Sequence, residues 1–157
     1  MQKKNGSEWV KTSSVMKVTK WFIKIRPSKS NEAQGGSMGY VLEFEIKELP
    51  KLPNQLLGQK WFIRSRHASR WKALVGTQVM GRIPEQPLTK ANLTMARISS
   101  QEPDYDGLVG SFKAVIDALV DCRVLAGDTM KIIGKPTYDW VKGKPKHGMV
   151  KVRVEEA

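Results

Sequence analysis

The sequence contains little cysteine and no long apolar run, and these absences exclude several classes of protein. Of its 157 residues only one is a cysteine, Cys122. A single cysteine permits neither an intramolecular disulfide nor a cysteine-based zinc cage. No segment approaches the roughly 18 apolar residues that a membrane-spanning helix needs. The N-terminal residues are too polar for a signal peptide, so we expect a soluble, intracellular protein.

Acidic residues are also scarce, and their placement is uneven. The chain has 27 Lys and Arg against 15 Asp and Glu, a formal net charge of +12 and a pI near 9.9. Such a charge favours polyanionic partners, nucleic acid first and anionic membranes second. Five aspartates fall within residues 103–128, whereas basic residues concentrate in 1–30, 59–97 and 135–153. This pattern indicates a phosphate-binding surface around a cation site; the alternative is that the basic residues only keep the surface soluble.

The spacing of apolar residues predicts one α/β (α+β) domain with a small mixed β-sheet and helices packed on it. We assign this domain to residues 39–157 and treat residues 1–38 as a basic, partly flexible extension. Strands are predicted over 40–49, 88–99 and 149–157, and one more strand is predicted within 129–141. Helices are predicted over 65–83, with Ser65 as N-cap, and over 107–121. Trp61 and Phe62 are assigned to core packing, with base stacking as the alternative.

The aspartates of residues 103–128 have a spacing that suits a metal site. Asp104 and Asp106 are two residues apart on a segment predicted to be extended, so both side chains should point the same way. Asp106 is also expected to cap the following helix. Asp128 follows a turn after that helix, which can bring it back towards the first pair. Lys113 lies about two helical turns beyond Asp106 and can pair with Asp117.

Carboxylates at this spacing are suited to phosphodiester cleavage. Mg²⁺ prefers one or two carboxylates together with water and substrate phosphate, and two such cations can activate a water and stabilise the leaving oxygen. Three aspartates without a cation between them would repel one another. The alternative is that Asp104 and Asp106 are turn and cap residues and that Asp117 and Asp121 lie on a solvated helix face. The pattern alone leaves both interpretations open.

The same segment, "DYDGLVGSFKAVIDALVDCRVLAGD" (104–128), resembles the RusA family of Holliday-junction resolvases, particularly its phage-type members. Asp104 and Asp106 match the family's first aspartate pair, Lys113 its helix lysine and Asp128 its distal aspartate. "YVLEFEIKELPKLPN" resembles the first strand of the family, and "LPNQLLGQKWFIRSRHASRWKALV" its Asn-containing loop and basic helix. The resemblance covers residues 40 to 155. The chain departs from the family at Gly107 and Gly127, and by about three extra residues before Lys113.

This resemblance implies a RusA-like fold and a homodimeric, Mg²⁺-dependent crossover junction endodeoxyribonuclease, with Mn²⁺ as a substitute cofactor. Such an enzyme resolves four-way DNA junctions by paired symmetric nicks, in recombination and repair, in the cytoplasm of a bacterium or a phage-infected host. By the resemblance Asp104, Asp106 and Asp128 are metal ligands, and Lys113 supports the phosphate or the attacking water. These four form the expected catalytic set. No membrane and no small-molecule cofactor are expected.

The basic helix and the loop before it supply the expected DNA contacts. The residues assigned to this role are Asn54, Arg64, Arg66, Arg70 and Lys72. A solvated helix face is the alternative for the charged residues, and a loop-shaping role for Asn54. His67 lies among them and is favoured as a phosphate contact over a catalytic base. Two other functions stay open: a non-catalytic basic DNA-binding module, and a metal nuclease acting on flaps or forks.

Overall fold

Alternating apolar residues build the four strands of the sheet, and apolar stripes at helical spacing build the helices that cover it. A computed structural model describes residues 39–157; the predicted extension over residues 1–38 lies outside the described residues. The elements are β1 (Val41–Ile46), α1 (Pro53–Leu56), α2 (Trp61–Val79), β2 (Ala91–Ser99), α3 (Tyr105–Ser111), α4 (Lys113–Asp121), α5 (Met130–Ile133), β3 (Thr137–Lys142) and β4 (Met149–Glu156). The predicted mixed sheet with packed helices is therefore confirmed.

The strand order in the sheet is β1-β4-β2-β3. Strand β4 pairs antiparallel with both β1 and β2, whereas β2 pairs parallel with β3. A parallel pair needs a crossover connection, and here residues 100–136, which contain α3, α4 and α5, form it. The predicted acidic site therefore lies on this crossover, beginning just after the carboxyl end of β2.

The core lies between one face of the sheet and the helices α2 and α4. In β4 every second side chain enters the core, and Val150, Val152 and Val154 are fully buried. The remaining core residues from the sheet and the two helices include Leu42, Phe44, Leu93, Met95, Trp71, Val75, Val79, Val115, Ile116 and Leu119. Burial of these apolar side chains is the main favourable term in folding. It also fixes the position of α4, on which the site depends.

The opposite face of β1 and β4 carries charged cross-strand pairs. Arg153 lies opposite Glu43 and donates to its Oε1 at 2.5 Å, and it also contacts Glu155. Lys151 lies opposite Glu45, with the charged atoms 3.8 Å apart. Opposite charges across an antiparallel pair stabilise the register modestly. Several of the chain's few carboxylates are thus neutralised here, away from the acidic segment.

The second helix begins four residues earlier than the sequence predicted. Its N-cap is Lys60 and not Ser65, which lies inside the helix. The preceding Gly58 has a positive φ of 74°, a conformation that glycine adopts readily, and this turn sets the helix start. The prediction was wrong because it followed the buried apolar stripe, and the first fully buried residue of that stripe is Trp71.

Two further predicted elements are divided in the structure. The helix predicted over 107–121 consists of α3 and α4, joined at Phe112, whose amide donates to the carbonyl of Val109 at 3.2 Å. The Ser111 hydroxyl also donates to a carbonyl within this helix, which favours such a break. The segment 129–141 holds the predicted strand, β3, in its second half, and the short helix α5 precedes that strand. Gly134, with a φ of 57°, separates them. Within residues 39–157 no helix is long and apolar enough to cross a membrane.

Candidate functional site

Asp104 and Asp106 lie at the start of α3, just after the chain leaves β2. Asp104 is extended and occupies the N-cap position, whereas Asp106 belongs to the first helical turn. The expectation that both lie on an extended segment and point the same way, with Asp106 as the cap, is therefore wrong. The helix begins at Tyr105, so Asp106 turns with the helix while Asp104 precedes it. Within residues 39–157 neither carboxylate has a hydrogen bond or an ion pair.

Two glycines allow α3 to pack closely against its surroundings. A Cβ atom placed at Gly107 would lie 2.2 Å from Oδ1 of Asp104. Any side chain at position 107 would therefore require the Asp104 carboxylate to move. A Cβ atom at Gly110 would lie 2.4 Å from Cγ of Pro53, so glycine is what permits α1 to approach α3.

Lys113 joins two aspartates from different parts of the crossover. Its Nζ donates to Oδ1 of Asp117 at 2.6 Å and to Oδ2 of Asp128 at 2.5 Å. The predicted pairing of Lys113 with Asp117 along the helix is confirmed. The turn after α4 brings Asp128 to Lys113, whereas the sequence indicated a position towards Asp104 and Asp106. All three side chains are about half exposed, with relative accessibilities of 58%, 51% and 47%.

We refer to Lys113, Asp117 and Asp128 as the Lys113 cluster; within it the pKa values of Lys113 and Asp128 shift in opposite directions. The hydrogen bonds that Lys113 donates, to Asp117 first and to Asp128 second, raise the pKa of Lys113 above its ordinary value. The same contact with the Lys113 ammonium lowers the pKa of Asp128 below its ordinary value. One cation therefore serves two carboxylates at neutral pH. This cluster is an electrostatic contact between solvent-accessible groups, which water and salt screen.

The described residues do not assemble the expected three-carboxylate metal site. Among residues 39–157, no group of three or more His, Cys, Asp or Glu side chains is arranged to hold a metal ion. Asp104 and Asp106 lie at the start of α3, whereas Asp128 pairs with Lys113 at the start of α4. A metal ion shared by all three carboxylates therefore requires Asp128 to leave Lys113.

A cleft of about 580 Å³ lies between α2 and α4, next to the Lys113 cluster. One wall comes from α1 and α2, and the other from the end of α3 and from α4. The charged and titratable residues that line the cleft are Lys51, Arg64, His67, Lys72, Lys113, Asp117 and Asp121. Lysine and arginine dominate this lining, so the cleft suits an anionic ligand such as a phosphate backbone.

The five residues assigned to DNA contact differ in whether their side chains already form an ion pair within the protein. Arg70 makes a two-pronged contact with Glu48, with both N–O distances at 2.6 Å, and Lys72 lies 3.5 Å from Asp121. Arg64 and Arg66 are exposed and have no ion pair within the described part of the chain. Asn54 is exposed in the short helix α1. Arg64 is thus the arginine that lines the cleft with its charge uncompensated.

His67 is held in a neutral form at the cleft wall. Its Nε2 accepts a hydrogen bond from the backbone N–H of Lys51 at 3.2 Å. Burial first, and then the Lys51 charge, lower the pKa of His67, while Glu48 opposes the shift. A neutral imidazole whose Nε2 already accepts an N–H is poorly placed to take a proton with that atom. His67 therefore shapes the cleft by fixing the loop at Lys51.

The structure also exposes two aromatic residues that sequence reasoning assigned to the core. Trp61 and Phe62 are 74% and 43% exposed, so the core assignment is wrong. The signal was available: at 100° per residue, Phe62 lies about 180° from Trp71 around a helix that includes both. It was missed because the predicted helix began at Ser65.

No family profile matches this chain, and no curated protein matches its sequence.

The Lys113 contact predicts a measurable titration. Replacing Lys113 with Met removes the ammonium, so the pKa of Asp128 should rise towards its ordinary value, as followed by carboxyl carbon NMR. The depressed pKa means that the contact stabilises the fold above the ordinary aspartate range and is lost as pH falls through the lowered value. Lys72→Met is the matched control and should leave Asp128 unchanged. An unchanged Asp128 titration in Lys113→Met would contradict the contact.

The ion pairs predict unequal roles for two arginines of α2. Arg64→Gln should weaken binding to a DNA duplex and lower the dependence of log K on log salt by about 0.9, the value for one lost phosphate contact. Arg70→Gln should change this slope much less, because its guanidinium already contacts Glu48. Fluorescence anisotropy at several salt concentrations measures both. A salt slope of Arg64→Gln equal to that of the wild type would contradict a contact between the cleft and the DNA backbone.

Proposed function

We propose that this chain is a metal-dependent endodeoxyribonuclease of the RusA kind that resolves four-way DNA junctions. The observation that carries the proposal is the contact of Lys113 with Asp128 across 15 residues of sequence. It joins two of the four residues to which the resemblance assigns catalysis. They lie beside a basic cleft that suits a phosphate backbone. Fold class, charge and site position are all consistent with this activity.

The residues of the cleft have separate tasks in this proposal. Arg64 and Lys51 attract and position the phosphate backbone along the wall formed by α1 and α2. Lys113 lies on the opposite wall, where its ammonium can approach the phosphate that is cut. A phosphodiester resists attack because it is anionic, so cations fixed around it lower the repulsion of an incoming nucleophile. The protein's contribution is thus positioning and charge.

Mg²⁺, with Mn²⁺ as a substitute, is the cofactor of the proposed activity because hard cations bind carboxylate and phosphate oxygens. Asp104 and Asp106 are the available donors, since both carboxylates are exposed and unpaired within residues 39–157. Asp128 joins them as a donor only if it separates from Lys113. The proposed partner is a second copy of the chain, because a junction with two-fold symmetry requires two sites related by that symmetry.

One observation favours a second candidate, a non-catalytic DNA-binding module. Asp128 is neutralised by Lys113, and the described residues contain no group of three metal-binding side chains. In that case the acidic cluster only fixes the crossover, and the basic cleft alone carries the function. A metal nuclease of flaps or forks is the third candidate, and the choice of substrate separates it from the first.

Cleavage of a synthetic four-way junction tests the proposal. With Mg²⁺ the wild-type protein should produce paired symmetric nicks. Asp106→Asn should cleave at least about a hundredfold more slowly, because even outer partners of metal ligands contribute ten- to a hundredfold. Binding of the junction should stay within a few-fold of wild type. Glu85→Gln, which removes an exposed carboxylate from the loop before β2, is the matched control and should cleave normally.

The outcomes of this assay separate the three candidates. Binding of the junction without cleavage by any variant would contradict the nuclease and support the binding module. Equal cleavage of forks, flaps and four-way junctions would assign the protein to the broader class of branched-DNA nucleases. Cleavage that is unaffected by Asp106→Asn would show that the active site lies elsewhere.

A further inference from the structure

Trp61 and Phe62 form an exposed aromatic pair at the start of α2. Their ring centroids are 6.2 Å apart and their planes meet at 86°, an edge-to-face contact. Trp61 is 74% exposed and Phe62 43% exposed, and the nearby Leu57 is 83% exposed. The contact between the two rings restrains both side chains, and most of the Trp61 ring stays exposed to solvent.

No residue in the first half of α2 is buried. The buried residues of this helix are Trp71, Val75 and Val79, all in its second half. Trp61 and Phe62 therefore contribute little to the core of residues 39–157. Adjacent exposed aromatic residues on a folded domain mark a contact surface more often than isolated apolar residues do. The question is which partner fits them.

The charge around the pair restricts the partner to an anion. Residues 49–84 contain seven Lys and Arg and no Asp or Glu. The Nζ of Lys60 lies 5.9 Å from the centre of the Phe62 ring. Arg64 follows Trp61 by about one helical turn and has no ion pair within the described residues. Aromatic rings interleaved with basic side chains complement a chain of flat bases joined by phosphates.

Other anionic or apolar partners fit this surface less well. A helix that lies in a lipid surface needs a continuous apolar stripe along its length, whereas the stripe of α2 faces the core. A protein interface is depleted of lysine at its centre, whereas Lys60 adjoins the aromatic pair. A nucleic-acid strand complements both features of this surface, since its bases stack on aromatic rings and its phosphates bind basic side chains. In a duplex the base faces are covered by neighbouring bases, so only unpaired bases can stack on an external ring.

We propose that Trp61 and Phe62 form a stacking platform for unpaired bases, with Lys60 and Arg64 contacting the flanking phosphates. This inference deepens the proposed function and rests on it for the source of the unpaired bases, which an opened branch point supplies. The platform adjoins the cleft, since Arg64 contributes to both. An unpaired strand bound there continues into the cleft beside Lys113.

Fluorescence anisotropy with labelled oligothymidylate and a blunt duplex of equal length tests the platform. Trp61→Ala should weaken binding of the single strand about tenfold, the loss expected for one stacked base. Binding of the duplex should change less than twofold, and Trp61→Phe should restore most of the single-strand affinity. Met130→Ala, which truncates a residue that is 69% exposed on α5, is the matched control and should bind like wild type. Thermal unfolding should show that Trp61→Ala remains folded.

Single-strand affinity that is unchanged in Trp61→Ala would overturn the platform, as would an equal loss on single strand and duplex. Binding of the wild type to anionic phospholipid vesicles but not to oligothymidylate would assign the surface to a membrane and also overturn it. The junction assay is independent of these results. Trp61-dependent binding without junction cleavage would keep the platform and contradict the nuclease. Junction cleavage without Trp61-dependent binding would keep the nuclease and contradict the platform.

Discussion

The ammonium of Lys113, held between Asp117 and Asp128, is the interaction on which the arrangement of the site depends. It connects α4 to the turn after it at distances of 2.6 and 2.5 Å. The backbone positions follow from the buried face of α4, but the direction of the three charged side chains follows from this contact. It places Asp128 next to Lys113, which lines the cleft. The same contact supports the nuclease proposal because it joins two expected catalytic residues. It also limits the proposal, because the Lys113 ammonium competes with a metal ion for Asp128.

The fold places an acidic crossover beside a basic helix, and this pairing accounts for the cleft. The parallel pairing of β2 with β3 requires a crossover, so Asp104 and Asp106 begin it at the carboxyl end of β2. Helix α2 packs its second half against α4, which leaves its first half and its basic residues at the cleft edge. A phosphate bound in the cleft would lie beside Lys113, which lines it. The exposed pair Trp61 and Phe62 lies at the start of the same helix, α2.

The sequence predicted the parts of the structure that depend on periodicity. The alternation in β1, β2 and β4 and the apolar stripe of α4 are confirmed, since burial of every second or every third to fourth residue leaves a clear pattern. The start of α2 was missed because the apolar residues of its first turn, Trp61 and Phe62, are exposed and do not continue the buried stripe that begins at Trp71. The pairing of Lys113 with Asp117 could be predicted because it is local. The partner of Asp128 could not, since its position depends on how the turn after α4 closes.

The relative position of the carboxylates was beyond sequence reasoning for a similar physical reason. The spacing of Asp104 and Asp106 suits an extended segment and a helix start equally, and the two conformations direct the side chains differently. The glycines at 107 and 110 favour the close approach of α3 to α1, which is a tertiary contact. The family resemblance implied roles for these residues but gave no distances between their carboxylates.

Addition of Mn²⁺ to the isotope-labelled protein, followed by NMR, tests the central claim most directly, because the paramagnetic ion broadens signals near its binding site. The account predicts saturable broadening centred on Asp104 and Asp106, extending to Asp128, that is reversed by excess Mg²⁺ and abolished in Asp106→Asn. The outer face of the sheet, with Glu43 and Glu45, should be unaffected. Broadening that does not saturate, or that is centred on that outer face, would contradict a catalytic cation at the start of α3.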